Sequence, residues 1–593
     1  MADKQKYLDY DGLGKYNEKI APIDSPEFTG AISMGRKEGS TVGANSTAIG
    51  TDVVASEKDA VAMGTSTTAY GKSSHAEGWS DNSAIDICGD ISGLTTDQII
   101  EKWSTYDADN DKYPNSFSLA YGEESHVEGG NCLALDYDCH AEGWKTIASG
   151  GISHAEGSNT TASGEASHAE GSNTTSSGDC SHAEGSRTTA SGKYSHAEGF
   201  YTTSSGKYSH AEGFYTTSSG NSCHAEGYMT TASVRSSHAE GWSTNKATDI
   251  CGDISTLTVD EIIEKWNTSK FLLAYSYNCH AEGNDCLTLE SCAHSEGSNT
   301  IAKGFLSHSE GNNTIALANQ HAQGHYNNTA TATANNSSGT SDGTAFVIGN
   351  GTSDAPSNAF RVTGEGNVYG AGNYNSSGAD YAEYFEWYDG NTKEEDLVGY
   401  FVTVKGDKLV IANEGDYILG IITGNPSVIG NSDECWTKRF VRDDFGRYIT
   451  EEIEYEIDVF VEAEEANDED NEVSTVNENS VSDENSIEKA KNENGDKIKV
   501  KKEKRKGIMW KQNPNYDETQ TYIPRSKRAE WDAVGMVGVL SVYDDGTCKV
   551  NGYCKCANGG IATSATVDEF TFLTPIYRVI SRVSANVVKV VMR

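Results

Sequence analysis

Thirteen of the fifteen histidines open the string His-x-Glu-Gly, at positions 75, 126, 140, 154, 168, 182, 196, 210, 224, 238, 280, 294 and 308, and His321 opens His-Ala-Gln-Gly. An imidazole two residues from a carboxylate suits proton transfer, hydrogen-bonded burial of both groups, or transition-metal binding. From His126 to His238 every step is fourteen residues, and the step to His280 is 42, three periods. Such repetition favours architecture, with each His paired to a Glu within or between chains. Rings of three His holding a metal on an axis, and simple solvent exposure, are the other readings; no metal or cofactor is assigned. Stacked imidazoles that must charge, beside Glu partners that must protonate, predict loosening in acid below about pH 5.

A second group of chemical residues is Asp380, Glu383 and Glu386, just downstream of the small-residue segment Asn375, Ser376, Ser377 and Gly378. One neutral and one charged carboxyl can polarise a backbone carbonyl and activate water. Two further routes are open: attack of the Ser376 or Ser377 hydroxyl on the preceding carbonyl, and cyclisation of Asn375. Plain solvated acids are the bland alternative. No His follows His325, which excludes a Ser-His-Asp triad in this region, and no Gly-Lys-Ser/Thr phosphate loop occurs. Cys548, Cys554 and Cys556 have the spacing Cys-x5-Cys-x-Cys, which is not a zinc pattern.

The elements that carry these groups follow from alternation. In Ser153-His-Ala-Glu-Gly157 the residues Ser153, Ala155 and Gly157 share one face of a strand and His154 and Glu156 the other. Ala162 and Gly164 alternate likewise with Thr161 and Ser163. Two short strands and two turns fill each period, so the chain reads as an all-β parallel solenoid with a very narrow interior. Cys139, Cys223 and Cys279 replace the interior Ser, and Ser295 and Ser309 the interior Ala. In the earliest coils the His and Glu slots hold Thr47 and Ile49, Val61 and Met63, and Thr68 and Tyr70. Apolar residues on so thin a coil call for a partner surface.

Two duplicated insertions, at 79–124 and 241–278, leave the solenoid at Trp79 and Trp242. Each carries Asp-Ile-Cys-Gly-Asp-Ile-Ser and then a short helix, Thr95–Trp103 and Thr258–Trp266, opened by the capping boxes Thr95/Gln98 and Thr258/Glu261. Such insertions either form a binding face or brace neighbouring chains. Phe200, Tyr201, Phe214 and Tyr215 stack as aromatic pairs in successive coils, either as packing or as a platform for sugar rings.

Composition narrows the classes. Only 36% of the 593 residues are hydrophobic, below the usual range of about 45–50%, so one large core is not expected. A net charge of −42 opposes nucleic-acid binding. Thirteen cysteines, an odd number, suggest no disulfide framework. The opening MADKQKYLDYDGLG has no apolar stretch, and no run of about 18 apolar residues occurs, so neither a standard secretion signal nor membrane insertion is expected.

The strings Ser46-Thr-Ala-Ile-Gly50 and Ala60-Val-Ala-Met-Gly64 resemble the head repeats of YadA-like trimeric autotransporter adhesins, over roughly residues 31–328. That resemblance implies a left-handed parallel β-roll and a homotrimer, with His154, Glu156, His168, Glu170, His182, Glu184, His196 and Glu198 facing the trimer axis. The family fills those slots with Val and Ile, and it carries a secretion signal and a membrane anchor. Residues 5–30 resemble the attachment regions of phage tail fibres, so 1–30 is expected to contact tail or neck proteins. Residues 329–374 are expected to form a linker and a hairpin over 358–369.

Asn375-Ser-Ser-Gly-Ala-Asp-Tyr-Ala-Glu-Tyr-Phe-Glu-Trp387, with Leu397–Val404, Gly420–Gly424 and Tyr577–Arg582, resembles the intramolecular-chaperone autoproteolytic domain that ends phage neck-appendage and tailspike proteins. The resemblance implies a mainly β domain over 375–593, interrupted by a disordered or loosely hairpinned charged insertion at 462–506. It also implies a single-turnover self-cleaving endopeptidase using acidic side chains, Asp380, Glu383 and Glu386, near residues 375–380. The whole then reads as a trimeric phage or prophage tail spike, made in the bacterial cytoplasm and carried on the virion. Its partners would be its own copies and a host-surface glycan or protein, met through Trp79, Trp242 and the aromatic pairs. A glycan-degrading tailspike enzyme and a bacterial surface adhesin are the alternatives.

Overall fold

The computed structural model describes residues 31–104, 116–334, 343–432, 439–461, 487–491, 497–517, 519, 521–571 and 575–593. The expected attachment segment 1–30 and the acidic stretch 462–486 lie outside the described residues. Contacts divide the chain into two units, with the boundary at Tyr369/Gly370.

In the first unit each period makes one coil, with a five-residue strand such as His154–Ser158 and a two-residue strand such as Thr161–Ala162. Successive coils pair parallel and in register: His154 on His168, Glu156 on Glu170, Thr161 on Thr175. Ser153, Ala155 and Ala162 are buried, and His154 and Glu156 are half-buried on the other face, as alternation requires. Gly157 corrects the expected pattern. It is exposed, because a φ of +105 within the strand breaks its alternation. A Cβ there would stand 2.2 Å from the carbonyl oxygen of Gly171 in the next coil, so only glycine fits.

Val61 pairs with His75 and Met63 with Glu77, so apolar residues do precede the His and Glu slots. Thr68 and Tyr70 do not belong to that face. Thr68 pairs with Leu119 in the two-residue ladder and Tyr70 stacks on Tyr121 at 5.3 Å. Both halves of a period alternate small residues, which is why a half-period shift looked like a full one.

The insertions form helices Ala84–Cys88 and Thr96–Ser104, then Ala247–Cys251 and Val259–Thr268. Both capping boxes are made: the Gln98 N–H donates to Thr95 Oγ1 and the Glu261 N–H to Thr258 Oγ1, each at 3.3 Å, with return bonds of 2.9 and 2.8 Å. The apolar stripes of the helices cover the two-residue ladder where Leu and Ile replace Thr and Ser. Ile99 packs with Leu119, Leu133 and Ile147, and Ile262 with Leu273, Leu287 and Ile301. The insertions thus brace the coils of their own chain.

Strand His321–His325 pairs parallel with Thr344–Asn350, which pairs antiparallel with Asn358–Thr363. Asn358–Thr363 also turns back into Val368–Gly370, with the Thr363 N–H on the Asn367 carbonyl at 2.9 Å, so the expected hairpin over 358–369 is present and its first strand extends the sheet of the first unit into the expected linker.

The second unit is mainly antiparallel. Its long strand Trp531–Tyr543 pairs with Asp380–Glu386, Gly420–Ile422 and Val587–Met592. Phe401, Leu540, Val542, Tyr577 and Val579 pack with Cys548, Cys554 and Cys556 in its core. A separate three-stranded sheet holds Thr450–Val461, Lys497–Trp510 and Ile487–Lys491. The charged insertion 462–506 was expected to be disordered or loosely hairpinned; its described parts, 487–491 and 497–506, are strands, and the register sets an acidic sequence opposite a basic one. Among the described residues no helix is long and apolar enough to cross a membrane, and every cysteine is free.

Candidate functional site

Strand pairing builds the site of the second unit. Residues 371–377 are exposed and outside regular structure, and Gly378 leads directly into strand Asp380–Glu386. The Asn375, Ser376 and Ser377 backbone is open to solvent. Ser376 Oγ accepts the Gly378 N–H at 3.2 Å, closing a small turn. Gly378 lies so close to the backbone of Pro426 and Ser427 that a Cβ would come within 2.4 Å of it. The Ser427 N–H donates to the Asp380 carbonyl at 2.7 Å and the Val539 N–H to the Ala379 carbonyl at 3.1 Å, so the chain is pinned on both sides where it enters the sheet.

Asp380 is 5% exposed, and its Oδ2 is shielded from solvent with no hydrogen bond. A Cβ on Gly535 would stand 2.7 Å from that oxygen, and one on Gly538, at φ +129, would meet the Ala379 carbonyl oxygen at 2.3 Å. Two glycines in the facing strand therefore let the Asp380 backbone and carboxyl press in. Burial raises the pKa of Asp380 above the ordinary carboxylate value, and a hydrogen bond with Thr423 partly offsets this.

The other two predicted acids do not join it. An odd spacing puts Glu383 on the opposite face of the strand, where it accepts a 2.6 Å hydrogen bond from the Tyr381 hydroxyl. Glu386 shares the Asp380 side but is bound to Lys408 at 2.8 Å. Sequence reasoning missed Asp532, a half-buried carboxyl whose pKa is raised by desolvation and which takes the Trp387 indole N–H at 2.8 Å. The register sets Asp532 opposite Phe385 and Gly538 opposite Asp380, which separates Asp532 from Asp380 by about 20 Å along the strand. Thr423, Gly535 and Gly538 were also missed. The glycines of the Gly-Met-Val-Gly string within an otherwise β-branched strand were the available signal.

Residues 327–579 match the Peptidase_G2 family, described as the IMC autoproteolytic cleavage domain. This stretch of the chain is thus similar to a Peptidase_G2 domain. The chain is 30% identical over 186 residues to the pre-neck appendage protein of Bacillus phage B103, covering 31% of this chain and 16% of that one. It is 33% identical over 204 residues to the putative phage-related protein YobO of Bacillus subtilis (strain 168), covering 34% and 19%. The crystal structure of the pre-mature bacteriophage phi29 gene product 12 aligns with a TM-score of 0.38 and 14% identity, over 94% of this chain and 60% of that one. The chain spans less than a fifth of the length of these curated relatives. Asp380 and the exposed segment before it both lie inside the Peptidase_G2 match.

The first unit presents a different array. The fourteen imidazoles from His75 to His321 form one stack, with successive ring centroids 4.5–4.9 Å apart. His154, His168, His182 and His196 stand in it consecutively, with Glu156, Glu170, Glu184 and Glu198 beside them. Burial, then the neighbouring rings, lower the pKa of His140, His168, His210 and His238, and take His280 down to about 4.

On the same strands Phe200, Phe214, Tyr228 and Trp242 form a second column, with centroids 5.1, 4.9 and 6.1 Å apart, and Tyr201 stacks on Tyr215 at 4.7 Å with Arg187 over the ring. Trp79 stacks on Trp144 at 5.9 Å across Gly130. Trp79 and Trp242 are 46% and 48% exposed.

Proposed function

We propose that this chain is a phage or prophage neck-appendage or tail-spike protein. It assembles as a homotrimer, attaches to a host surface through its solenoid, and cuts off its C-terminal chaperone domain within residues 375–380. The observation that carries the reading is an exposed segment outside regular structure running straight into a buried Asp380, whose pKa is raised by burial, in a domain similar to a self-cleaving family. Neutral Asp380 donates its proton to the departing amine. A charged carboxylate takes a proton from the attacking water, so the peptide bond breaks with one water consumed and no cofactor.

Glu383 cannot be that carboxylate for its own chain, since it faces away from Asp380. On the outer face it is placed to serve the site of a neighbouring copy, which would make cutting conditional on assembly. The half-buried His/Glu face, continued by Val61 and Met63, is the surface the three copies share, in the manner of a left-handed YadA-like roll. The exposed columns around Phe200, Tyr201, Phe214, Tyr215, Trp79 and Trp242 fit a glycan or protein receptor.

Intact mass and denaturing gels of the purified full chain test the cutting. Two fragments divided within residues 375–380 are expected, and a single intact chain with Asp380→Asn. Cleavage elsewhere, or wild-type cleavage by the variant, overturns the assignment. Light scattering that finds a folded single subunit overturns the trimer.

A further inference from the structure

The His/Glu face holds an unmet demand for cations that its own hydrogen bonding does not relieve. In every one of the fourteen stacked rings Nε2 is shielded from solvent and makes no hydrogen bond. Carboxylate oxygens nevertheless stand close: Glu240 lies 3.3 Å from His238 Nε2, and His182 Nε2 is 3.9 Å from both Glu170 and Glu184. His294 is placed in the same way, 3.9 Å from Glu282 and from Glu296. The oxygens are near the ring nitrogens without making an N–H bond, most of them standing too far for one.

In-register pairing also stacks the carboxylates, Glu156 over Glu170 and Glu212 over Glu226, at the strand spacing. Two such charges about 4.8 Å apart repel by roughly 1 kcal/mol in water and several times more when half-buried. Neutral imidazoles leave that repulsion standing.

We infer that this column binds divalent transition-metal ions of the zinc class, each held by a His Nε2 and by carboxylates of its own and an adjacent coil. Imidazole selects such ions over calcium and magnesium, which prefer oxygen-only shells. Ligands about 2.1 Å from a tetrahedral ion stand roughly 3.4 Å from one another, close to the 3.3–3.9 Å between Nε2 and carboxylate found here. Sets such as His182, Glu184 and His196 have their ligand atoms within 4.8 Å of one another, so a ring tilt of modest size completes the shell. The ligands come from one chain, so the inference does not rest on the proposed trimer.

The test is equilibrium dialysis of the chelator-treated full chain against Zn2+, with Ca2+ as control, combined with X-ray absorption at the zinc edge. More than one Zn2+ per chain is expected, with a shell of nitrogen and oxygen only and no comparable uptake of Ca2+. Joint replacement His168→Asn, His182→Asn and His196→Asn is expected to lower the count by at least one with an unchanged circular dichroism spectrum. One Zn2+ or fewer per chain, a sulfur shell from the free cysteines, equal uptake of Ca2+, or an unchanged count in a folded triple variant overturns the inference. If the triple variant does not fold, Glu184→Gln, which keeps size and stacking, is read in the same way.

Discussion

The two units solve the problem of building a β-structure in opposite ways. In the first, every strand pairs with a copy of itself one period on, as His154–Ser158 does with His168–Ser172. In the second, Asp380–Glu386 pairs with residues 531–538, far along the chain. A repeat is easily propagated, but its register is degenerate. The string His-Ala-Glu-Gly recurs with little variation, so a slip of one coil, within a chain or between copies, costs almost nothing locally. Non-local pairing is slow to form but admits one solution. A uniform solenoid thus needs a unique element to set its register, and the removable chaperone domain proposed above would be such an element.

The comparison breaks first at the glycines. Gly171→Val puts a Cβ 2.1 Å from the Gly185 carbonyl oxygen at a φ of +103, and should cost the coil about 4 kcal/mol or more. Urea melts followed by circular dichroism should show the loss, while cleavage in the second unit proceeds. Equal loss of both would mean that the units do not fold independently. Asp380→Asn should do the reverse, slowing cleavage by about 100-fold or more with no change in the melt of the solenoid, as read by gel time courses.

Acid should separate the units as well. Folded His280 titrates at about 4 against an ordinary 6.5, so the folded column binds fewer protons than the unfolded chain. Its stability is retained above about pH 6.5 and falls as pH drops towards 4. Asp380 has the opposite sign. Its folded pKa is raised above 3.8, so burial of its carboxyl begins to cost stability as pH rises past that value. Thermal melts of chelator-treated protein between pH 8 and 4 should show the solenoid transition dropping in acid. A flat profile would contradict the burial of the imidazoles.

What the sequence revealed follows the same division. The period, the in-register stacking, the small interior and both capping boxes were legible because each depends on residues a few positions apart. Asp380 was legible as a candidate through its neighbours in the chain. Its environment was not, because Thr423, Gly535 and Gly538 are brought to it only by non-local pairing. The grouping of Glu383 with Asp380 failed on parity: three residues along a strand is the opposite face. The exposure of Gly157 was hidden for a related reason, since alternation assumes an extended backbone and a φ of +105 breaks it within the strand.

The smaller effects refine the contrast. Thr258→Ala removes the hydroxyl that accepts the Glu261 N–H and should cost about 1 kcal/mol. Because Ile262 of that helix packs on Leu273 and Leu287, the loss should appear in the solenoid melt, and a change in cleavage alone would contradict bracing. Glu386→Gln should be weaker still. The Glu386–Lys408 pair is about a third exposed on each side, and pairs of that kind contribute about 0.5 kcal/mol or less. If Glu386 serves only as the partner of Lys408, the variant cleaves at nearly the wild-type rate and loses a little stability that added salt also removes. If it is instead the carboxylate that activates water, cleavage falls by two orders of magnitude while stability hardly changes. The same gel that reads Asp380→Asn separates these outcomes, and because six residues of strand hold Glu386 about 20 Å from Asp380, the second would mean that Glu386 serves the site of a neighbouring copy.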